Sequence, residues 1–249
     1  MKSERHIFAV YVPTLTEFLA ERTIGDVLTI KDKELWNRIF TVLRLRDESQ
    51  VILFDALNNV QCKLGAEGAK NSVTSIIQQR SSNAVLQPPL VLYQGLTKKN
   101  TFEEIVYTAA QLGVTTIVPV ITEKIHKVWP VEEERVRLHN IMIAACEQSK
   151  NFMLPKIAAP LKITNLGEHM NTSYASIVLD PKGELLTQYC ATAQSSVQGI
   201  NLFLGAEGGI SEAEQASLVG HGFMPIRLCS SILRSQDAAL LALGMLRSF

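Results

Sequence analysis

Residues 200–211 (INLFLGAEGGIS) combine an apolar run with a glycine-rich turn, an arrangement that suits the binding of a small ligand. The apolar run ends at Gly205, and Gly208 and Gly209 follow before a helix is predicted to begin at Ser211. Glycine lets a backbone close around a ligand because it lacks a Cβ atom and adopts positive φ values readily. Spacing alone fits a structural turn as well as a ligand-binding loop, because the turn lacks the spacing of dinucleotide- and phosphate-binding motifs.

The same layout recurs at residues 223–247. A short apolar strand at 224–228 leads into a small polar turn at 229–231, and a capped helix is predicted from Ser235. In α/β proteins, ligands bind beside the carboxyl ends of parallel strands, which share one edge of the sheet. The two units therefore predict two neighbouring loops of one pocket.

Charged side chains near the two turns could take part in a reaction, although each also has a structural explanation. Arg234 lies at a helix N-terminus, where it opposes the helix dipole. It either forms a surface salt bridge or faces a phosphate or a developing negative charge. Glu207, between glycines, could accept hydrogen bonds from a ribose or an amine. Glu147 at the end of a long helix and Asp180 at a strand end are more typical of helix termini and caps.

The composition favours a globular protein and gives no sign of a general nucleic-acid binder. Hydrophobic residues make up 47% of the 249 residues, and the formal net charge is zero, whereas nucleic-acid binders are usually basic. No apolar stretch approaches the roughly 20 residues that cross a bilayer, and the charged N-terminus does not resemble a signal peptide. The four cysteines are scattered, so we predict reduced thiols, no metal site, no membrane partner and a cytoplasmic location.

Two domains of different type are predicted. Residues 1–83 contain short β-branched runs separated by close turns, which favours a small β-barrel with one helix. The pattern fails around 81–89, where polar residues and two prolines indicate a boundary. Residues 84–249 alternate strands and helices, which predicts an α/β domain with a parallel sheet. Its first helix is predicted to begin at a Thr101 cap and to end at Gly113.

Several segments of the chain resemble motifs of the RsmE family, in the same order and in both domains. LFLGAEGGISEAE (202–214) is similar to the family's GPEGG-(F/L)-S-x-x-E motif, and RLCSSILRSQDAALLAL (227–243) to LGxRILRxETA. AACEQSKNFMLPKI (144–157) resembles the AxEQ(S/C)xRxxxP helix end, and TFEEIVYTAAQLGVTTIVPVITEK (101–124) resembles the ELGVxxIxP unit. RIFTVLRLRDESQVILFD (38–55) is similar to the VLRhxxGDxhxhFDG segment of the first domain.

This resemblance implies an enzyme and its architecture. Members of the family are S-adenosyl-L-methionine (SAM)-dependent methyltransferases that modify N3 of a uridine in the 16S RNA of the small ribosomal subunit. The resemblance implies an RNA-binding, PUA-like β-barrel at 1–83 and an α/β SPOUT domain at 84–249. The SPOUT domain would have a mostly parallel sheet and a trefoil knot, and the protein would form a homodimer.

The resemblance also implies roles for individual residues. Arg234 would stabilise the uridinate, and Glu147 and Asp237 are weaker candidates for accepting its proton. The residues that would hold SAM are Leu179, Asp180, Pro181, Leu204, Gly205, Glu207, Gly208, Gly209, Leu228, Ser230, Ile232 and Leu233. The residues that would hold RNA phosphates are Arg38, Arg44, Lys98, Lys124 and Lys150.

The chain departs from the family motifs in both turns. Ala206 replaces a proline, residues 229–231 (CSS) replace a glycine-containing turn, and Gln236 stands where the family has glutamate. Two alternatives therefore remain open. One is a ribosome-binding or assembly protein that keeps the fold but has lost turnover, and the other is a SPOUT methyltransferase that acts on a different RNA atom. The retained Arg234 favours the enzyme.

Overall fold

The chain folds into two compact units. The computed structural model describes residues 6–65, 70–125, 131, 133–192 and 197–248. The first unit comprises Met1–Ala84 with Cys146–Met153, and the second comprises Val85–Ala145 with Leu154–Phe249. The division after Ala84 falls next to the boundary predicted after residue 83. The sequence pattern gave no sign that residues 146–153 belong with the first unit.

A five-stranded mixed sheet forms the first unit, with strands where β-branched runs predict them. The strands are Phe8–Tyr11 (β1), Val27–Lys31 (β2), Gln50–Phe54 (β3), Asn58–Leu64 (β4) and Ser72–Ser82 (β5). Their order is β1-β3-β4-β5-β2, with β1 and β3 parallel and the other neighbours antiparallel. Within the described residues β1 and β2 are the two edges of this sheet, so the structure shows a sheet where the sequence predicts a closed barrel.

Short helices and alternating apolar residues complete this unit. The helices are Leu15–Phe18 (α1) and Lys33–Trp36 (α2), which continues as a π-helix over Asn37–Val42. Along β2, Leu28 and Ile30 are buried while their neighbours are exposed. This alternation places one face of the sheet on the core and the other in solvent.

Asp55, directly after β3, holds the β3–β4 turn and the start of α1 together. Its Oδ1 accepts hydrogen bonds from the backbone N–H groups of Leu57 and Asn58, both at 2.8 Å. Its Oδ2 accepts one from Thr16 N at 2.6 Å, and only 3% of the residue is exposed. Burial by itself would raise the pKa of Asp55, but these hydrogen bonds outweigh it and hold the pKa below its usual value.

We expect Asp55→Asn to lower the free energy of unfolding by about 1–3 kcal/mol at neutral pH, because an amide NH₂ group would face backbone donors. Because the folded-state pKa is lowered, the carboxylate stabilises the fold above its unfolded pKa of about 4. That contribution disappears as the pH falls through the folded-state value. Urea unfolding of the intact protein at several pH values measures both effects. Asp26→Asn, at a carboxylate that also accepts hydrogen bonds but is far less enclosed, is the control; an equal loss there would contradict the explanation.

An all-parallel, seven-stranded sheet forms the second unit, as the alternating pattern predicts. The strands are Leu90–Gly95 (β6), Thr116–Ile121 (β7), Lys156–Ile157 (β8), Leu161–Lys162 (β9), Ala175–Leu185 (β10), Ile200–Leu204 (β11) and Met224–Arg227 (β12). The order is β12-β10-β11-β6-β7-β8, and β9 also pairs with β7. Every recorded pair in this sheet is parallel. Their carboxyl ends therefore lie at one edge of the sheet.

Helices and apolar side chains enclose this sheet. The helices are Lys99–Gln111 (α3), Arg135–Ser149 (α4), Leu166–His169 (α5), Leu186–Thr192 (α6), Glu212–Gly220 (α7) and Ser235–Leu246 (α8). All five residues of β11 are buried, so both faces of the sheet are covered near its centre. On one face Tyr93 and Phe203 pack edge-on against Phe223 with ring centroids 6.3 Å apart in each pair.

The helix ends test the predicted capping residues individually. The capping box of α7 is confirmed: Ser211 Oγ accepts from Glu214 N, and the Glu214 side chain accepts from Ser211 N. Gly113 ends α3 with φ +70°, as predicted. The predicted Thr101 cap is wrong, because α3 begins at Lys99.

Candidate cofactor site

One cavity of about 600 Å³ lies where β10, β11 and β12 reach the loops that follow them. Within the described residues it is lined by Lys98, Thr101, Leu179, Asp180, Pro181, Leu204, Gly205, Ala206, Glu207, Gly209, Ile226, Arg227, Leu228, Cys229, Ser231, Ile232, Leu233, Arg234, Ser235, Gln236 and Ala238. The two tandem turns thus share one pocket, as their layout predicts. Of the residues predicted to hold the cofactor, Gly208 and Ser230 do not line it.

A break in the β10–β12 ladder brings β10 into the lining. Ile226 pairs with Leu179 and again with Glu184, so the residues between these two partners lie outside the ladder. Asp180 and Pro181 line the cavity from this break. Gly183 permits it, because a Cβ atom there would lie 2.4 Å from the backbone of Pro225.

The glycine-rich turn packs tightly against the end of β6. Gly209 has φ +69°, and its N–H donates to Ala206 O at 2.8 Å. A Cβ atom on Gly95, the last residue of β6, would lie 2.6 Å from Ala206 N and 3.0 Å from Gly205 C. Gly208 instead faces the backbone of Lys124. The turn therefore needs Gly209 for its positive φ angle, and its close contact with β6 needs Gly95 on that strand.

Two carboxylates of the cavity are engaged by the protein itself. Asp180 accepts from Lys182 N at 2.8 Å and is also bonded by the side-chain amide of Gln215 on α7. Glu207 accepts from Lys98 N at 3.1 Å and so connects the glycine turn to the start of α3. Both therefore have a role in fixing loops, and neither is free to act solely as a base.

Arg234 is the N-cap residue of α8 and lies at the lining of the cavity. Its side chain is 81% exposed, and its Nε lies 3.2 Å from Asp237 Oδ2. Ion pairs this exposed contribute about 0–1 kcal/mol. The guanidinium is therefore held loosely and remains available to a ligand.

Glu147, a predicted proton acceptor, lies in the first unit. Its Oε1 accepts from Tyr11 N at 3.1 Å, and its Oε2 pairs with Arg38 Nη2 at 2.8 Å. These contacts bind the end of α4 to β1 and to the π-helix. Glu147 is thus a structural anchor, and the cavity lining does not include it.

Comparison with known protein families identifies the domain that contains this cavity. The model of the RNA methyltransferase domain matches residues 85–247, which include every residue that lines the cavity. The chain belongs to the RNA methyltransferase domain family. The family prediction is thereby confirmed.

Relatives of this methyltransferase are found among curated proteins and solved structures. A "Ribosomal RNA small subunit methyltransferase E" of Buchnera aphidicola is 28% identical over 172 residues, which are 66% of this chain and 65% of that protein. A Legionella pneumophila protein, described as a methyltransferase and solved with SAM, is 25% identical with a TM-score of 0.77, covering 98% of both chains. A ribosomal RNA small subunit methyltransferase E from Neisseria gonorrhoeae bound to SAM shares the fold, with a TM-score of 0.80 at 22% identity and the same coverage.

The basic residues predicted to hold RNA are divided between the two units of the methyltransferase, and all are exposed. Arg38 pairs with Glu147, whereas Arg44 and Lys150 have positive φ angles of 53° and 59°. Lys124 donates from Nζ to Ile210 O at 3.0 Å, and Lys98 lines the cavity. Lys98 is therefore the predicted RNA contact that lies at the candidate site itself.

Sequence reasoning missed several residues of the methyltransferase site. Arg227 and Thr101 line the cavity, and Ser235 Oγ donates to Gly205 O at 3.2 Å. Gln94, in the apolar run LVLYQGL, also reaches Gly205 O, at 3.4 Å. A single amide in an otherwise apolar strand was the one signal in the sequence that could have marked it.

We also looked among the described residues for metal-binding groups, membrane-spanning helices and reactive thiols. Groups of three or more His, Cys, Asp or Glu that could hold a metal are not found among them, nor is a helix long and apolar enough to cross a membrane. All four cysteines are free. Burial raises the pKa of Cys62 to about 11. Burial, with a smaller contribution from the Glu147 charge, raises the pKa of Cys146 to about 12. Both thiols are therefore protonated near neutral pH and poor nucleophiles.

Proposed function

We propose that this protein transfers a methyl group from SAM to N3 of a uridine in the RNA of the small ribosomal subunit. The observation that carries the proposal is the cavity built by both turns of an RNA methyltransferase domain, with Arg234 at its lining. The relatives named Ribosomal RNA small subunit methyltransferase E support the choice of substrate.

The residues present fit SAM in size and chemistry. The cavity of about 600 Å³ is within the range of about 300–1,000 Å³ usual for sites of small ligands. Leu204, Leu228 and Ile232 offer apolar contact to an adenine, and Ile232 is 87% exposed. Backbone groups of the glycine turn, together with Glu207, would hold the ribose. When bound, SAM supplies a methyl group already activated by its sulfonium.

Arg234 would favour the reactive form of the target base. Uridine N3 carries a weakly acidic proton, and the nitrogen becomes a good nucleophile once that proton is lost. A guanidinium stabilises the resulting anion but is a poor base, because it stays protonated. Asp237 is the proton acceptor we propose: it is outside the cavity lining but pairs with Arg234 and follows the lining residue Gln236, whereas Glu147 lies in the first unit.

We propose three further features of the architecture. The five-stranded first unit is a PUA-like, RNA-binding module that carries Arg38 and Arg44. The second contains a trefoil knot, which the family resemblance implies. The protein is a homodimer in which a second copy buries exposed apolar residues of α4 and α8. Val136 on α4 is 75% exposed, and Leu240 on α8 is 55% exposed.

Transfer of a labelled methyl group tests the function directly. We expect label from SAM to enter the RNA when the protein is incubated with small ribosomal subunits or with naked small-subunit RNA, each offered separately. Large-subunit RNA is the matched control and should stay unlabelled. Binding of SAM without transfer to either substrate would contradict the enzyme and favour an assembly protein that has lost turnover.

A further inference from the structure

Gln94 is a fully buried polar side chain near the carboxyl end of β6, in the middle of the parallel sheet. Its Nε2 lies 2.9 Å from Gly95 O and 3.4 Å from both Gly205 O and Ser235 Oγ. Its Oε1 is buried without a hydrogen-bond partner among the described residues. An apolar side chain would fill the same space without leaving an unpaired acceptor, so packing alone does not explain the amide.

Gly95 lies on β6 itself, but the other two partners of Gln94 belong to the two loops that build the cofactor cavity. Gly205 begins the glycine turn, and Ser235 is the first residue of α8, next to Arg234. Ser235 Oγ also donates to Gly205 O at 3.2 Å, which leaves its lone pairs free to accept from Gln94. The three groups therefore form one closed set of contacts between the loops.

Few contacts of its own side chain hold Arg234 in place. Its side chain is 81% exposed, and its ion pair with Asp237 is also exposed. The place of its backbone relative to the glycine turn is set by the neighbouring Ser235, which bonds to Gly205. If the glycine turn moves when a ligand binds, the hydrogen bond between Ser235 and Gly205 would move the backbone of Arg234 with it.

We propose that Gln94 is a positioning residue that couples the glycine turn to the start of α8, so that SAM in the turn sets the position of Arg234. The proposal rests on the proposed function for the identity of the ligand. Its test is a binding measurement that needs no RNA, so a wrong RNA substrate would leave the test intact.

Asn201 on the adjoining strand β11 provides a matched control. It is also fully buried, its Nδ2 donates to Asn171 O at 2.9 Å and to Ser176 Oγ at 3.0 Å, and its Oδ1 is unpartnered among the described residues. It lies near the amino end of its strand, and the two residues that it bonds are outside both cavity loops. Asn201→Leu therefore removes the same kind of group without touching the coupling.

The test measures SAM affinity by calorimetry and amide hydrogen exchange at Ala238, whose N–H donates to Arg234 O. In the unaltered protein we expect SAM to slow this exchange. Gln94→Met should weaken SAM binding up to about tenfold, the scale of one or two hydrogen bonds, and abolish the slowing. Ser235→Ala should do the same, and the double variant should lose no more than the larger single loss. Asn201→Leu should keep both properties.

Equal effects of Gln94→Met and Asn201→Leu, or additive effects of the Gln94 and Ser235 changes, would overturn the proposal. If Gln94→Met fails to fold, Ser235→Ala is compared with Asn201→Leu instead, and unchanged SAM affinity and unchanged slowing of exchange in Ser235→Ala would overturn the proposal. Normal coupling in a protein that methylates no ribosomal RNA would overturn the proposed function and keep the role of Gln94. A protein that does not bind SAM would overturn both.

Discussion

Arg234→Ala is expected to lower the rate of methyl transfer at saturating SAM and RNA by about 10²–10³-fold, the usual loss when one group facing a developing anion is removed. The affinity for SAM should change little, because the guanidinium is 81% exposed at the lining of the cavity. Its charge becomes most effective once the docked base excludes water from it. Single-turnover transfer and calorimetry with SAM separate the two quantities.

Two further variants control this result. Arg234→Lys keeps the charge but not the planar guanidinium, so an intermediate rate is expected. Asp237→Asn removes the other half of the ion pair and should reduce the rate strongly only if Asp237 accepts the proton. Its effect through the exposed pair alone should be about 0–1 kcal/mol. Transfer at the full rate by Arg234→Ala would contradict the role of Arg234.

Gly95→Ala should disable the cofactor site through the backbone. The added Cβ atom would lie 2.6 Å from Ala206 N, 3.0 Å from Gly205 C and 3.2 Å from Leu204 O. Because these neighbours are backbone atoms, the glycine turn itself has to move. We expect an unfolding free energy lower by about 1–3 kcal/mol and a transfer rate lower by about 100-fold, since misplacement by about 1 Å has such effects.

Gly220→Ala is the matched control for this change. Gly220 is the last residue of α7, and a Cβ atom there would meet nothing within 4 Å. The substitution should leave transfer unchanged and stabilise the helix by up to about 1 kcal/mol. Equal SAM affinity and transfer for Gly95→Ala and the unaltered protein would show that the turn does not depend on its contact with β6.

Local patterns predicted much of the fold because the interactions that form those elements are local. The capping box of Ser211 and Glu214 spans one helical turn, and the glycine at 113 ends α3 through its own φ angle. The prediction of a Thr101 cap was wrong because the start of α3 depends on a contact that is distant in sequence. The start of α3 is held by Glu207, which accepts from Lys98 N across 109 residues, and no local signal marks that contact.

The site was predictable as two neighbouring loops but not in its connections. The repeated strand, turn and helix placed both loops at one edge of the sheet, and the shared cavity follows from that edge. Glu147 bonds to Tyr11 and Arg38 of the first unit, and both are distant from it in sequence. The contact of Gln94 with Ser235 spans 141 residues in the same way. Such pairs appear only once the chain is folded.

The central claim is methylation of uridine N3 by the site around Arg234. Its most direct measurement is mass spectrometry of the nucleosides from small-subunit RNA after incubation with the protein and SAM. We expect 3-methyluridine at a single position, formed about 10²–10³-fold more slowly when Arg234→Ala replaces the unaltered protein. A methyl group on a ribose 2′-oxygen or on another base would contradict the claim, as would RNA without any added methyl group.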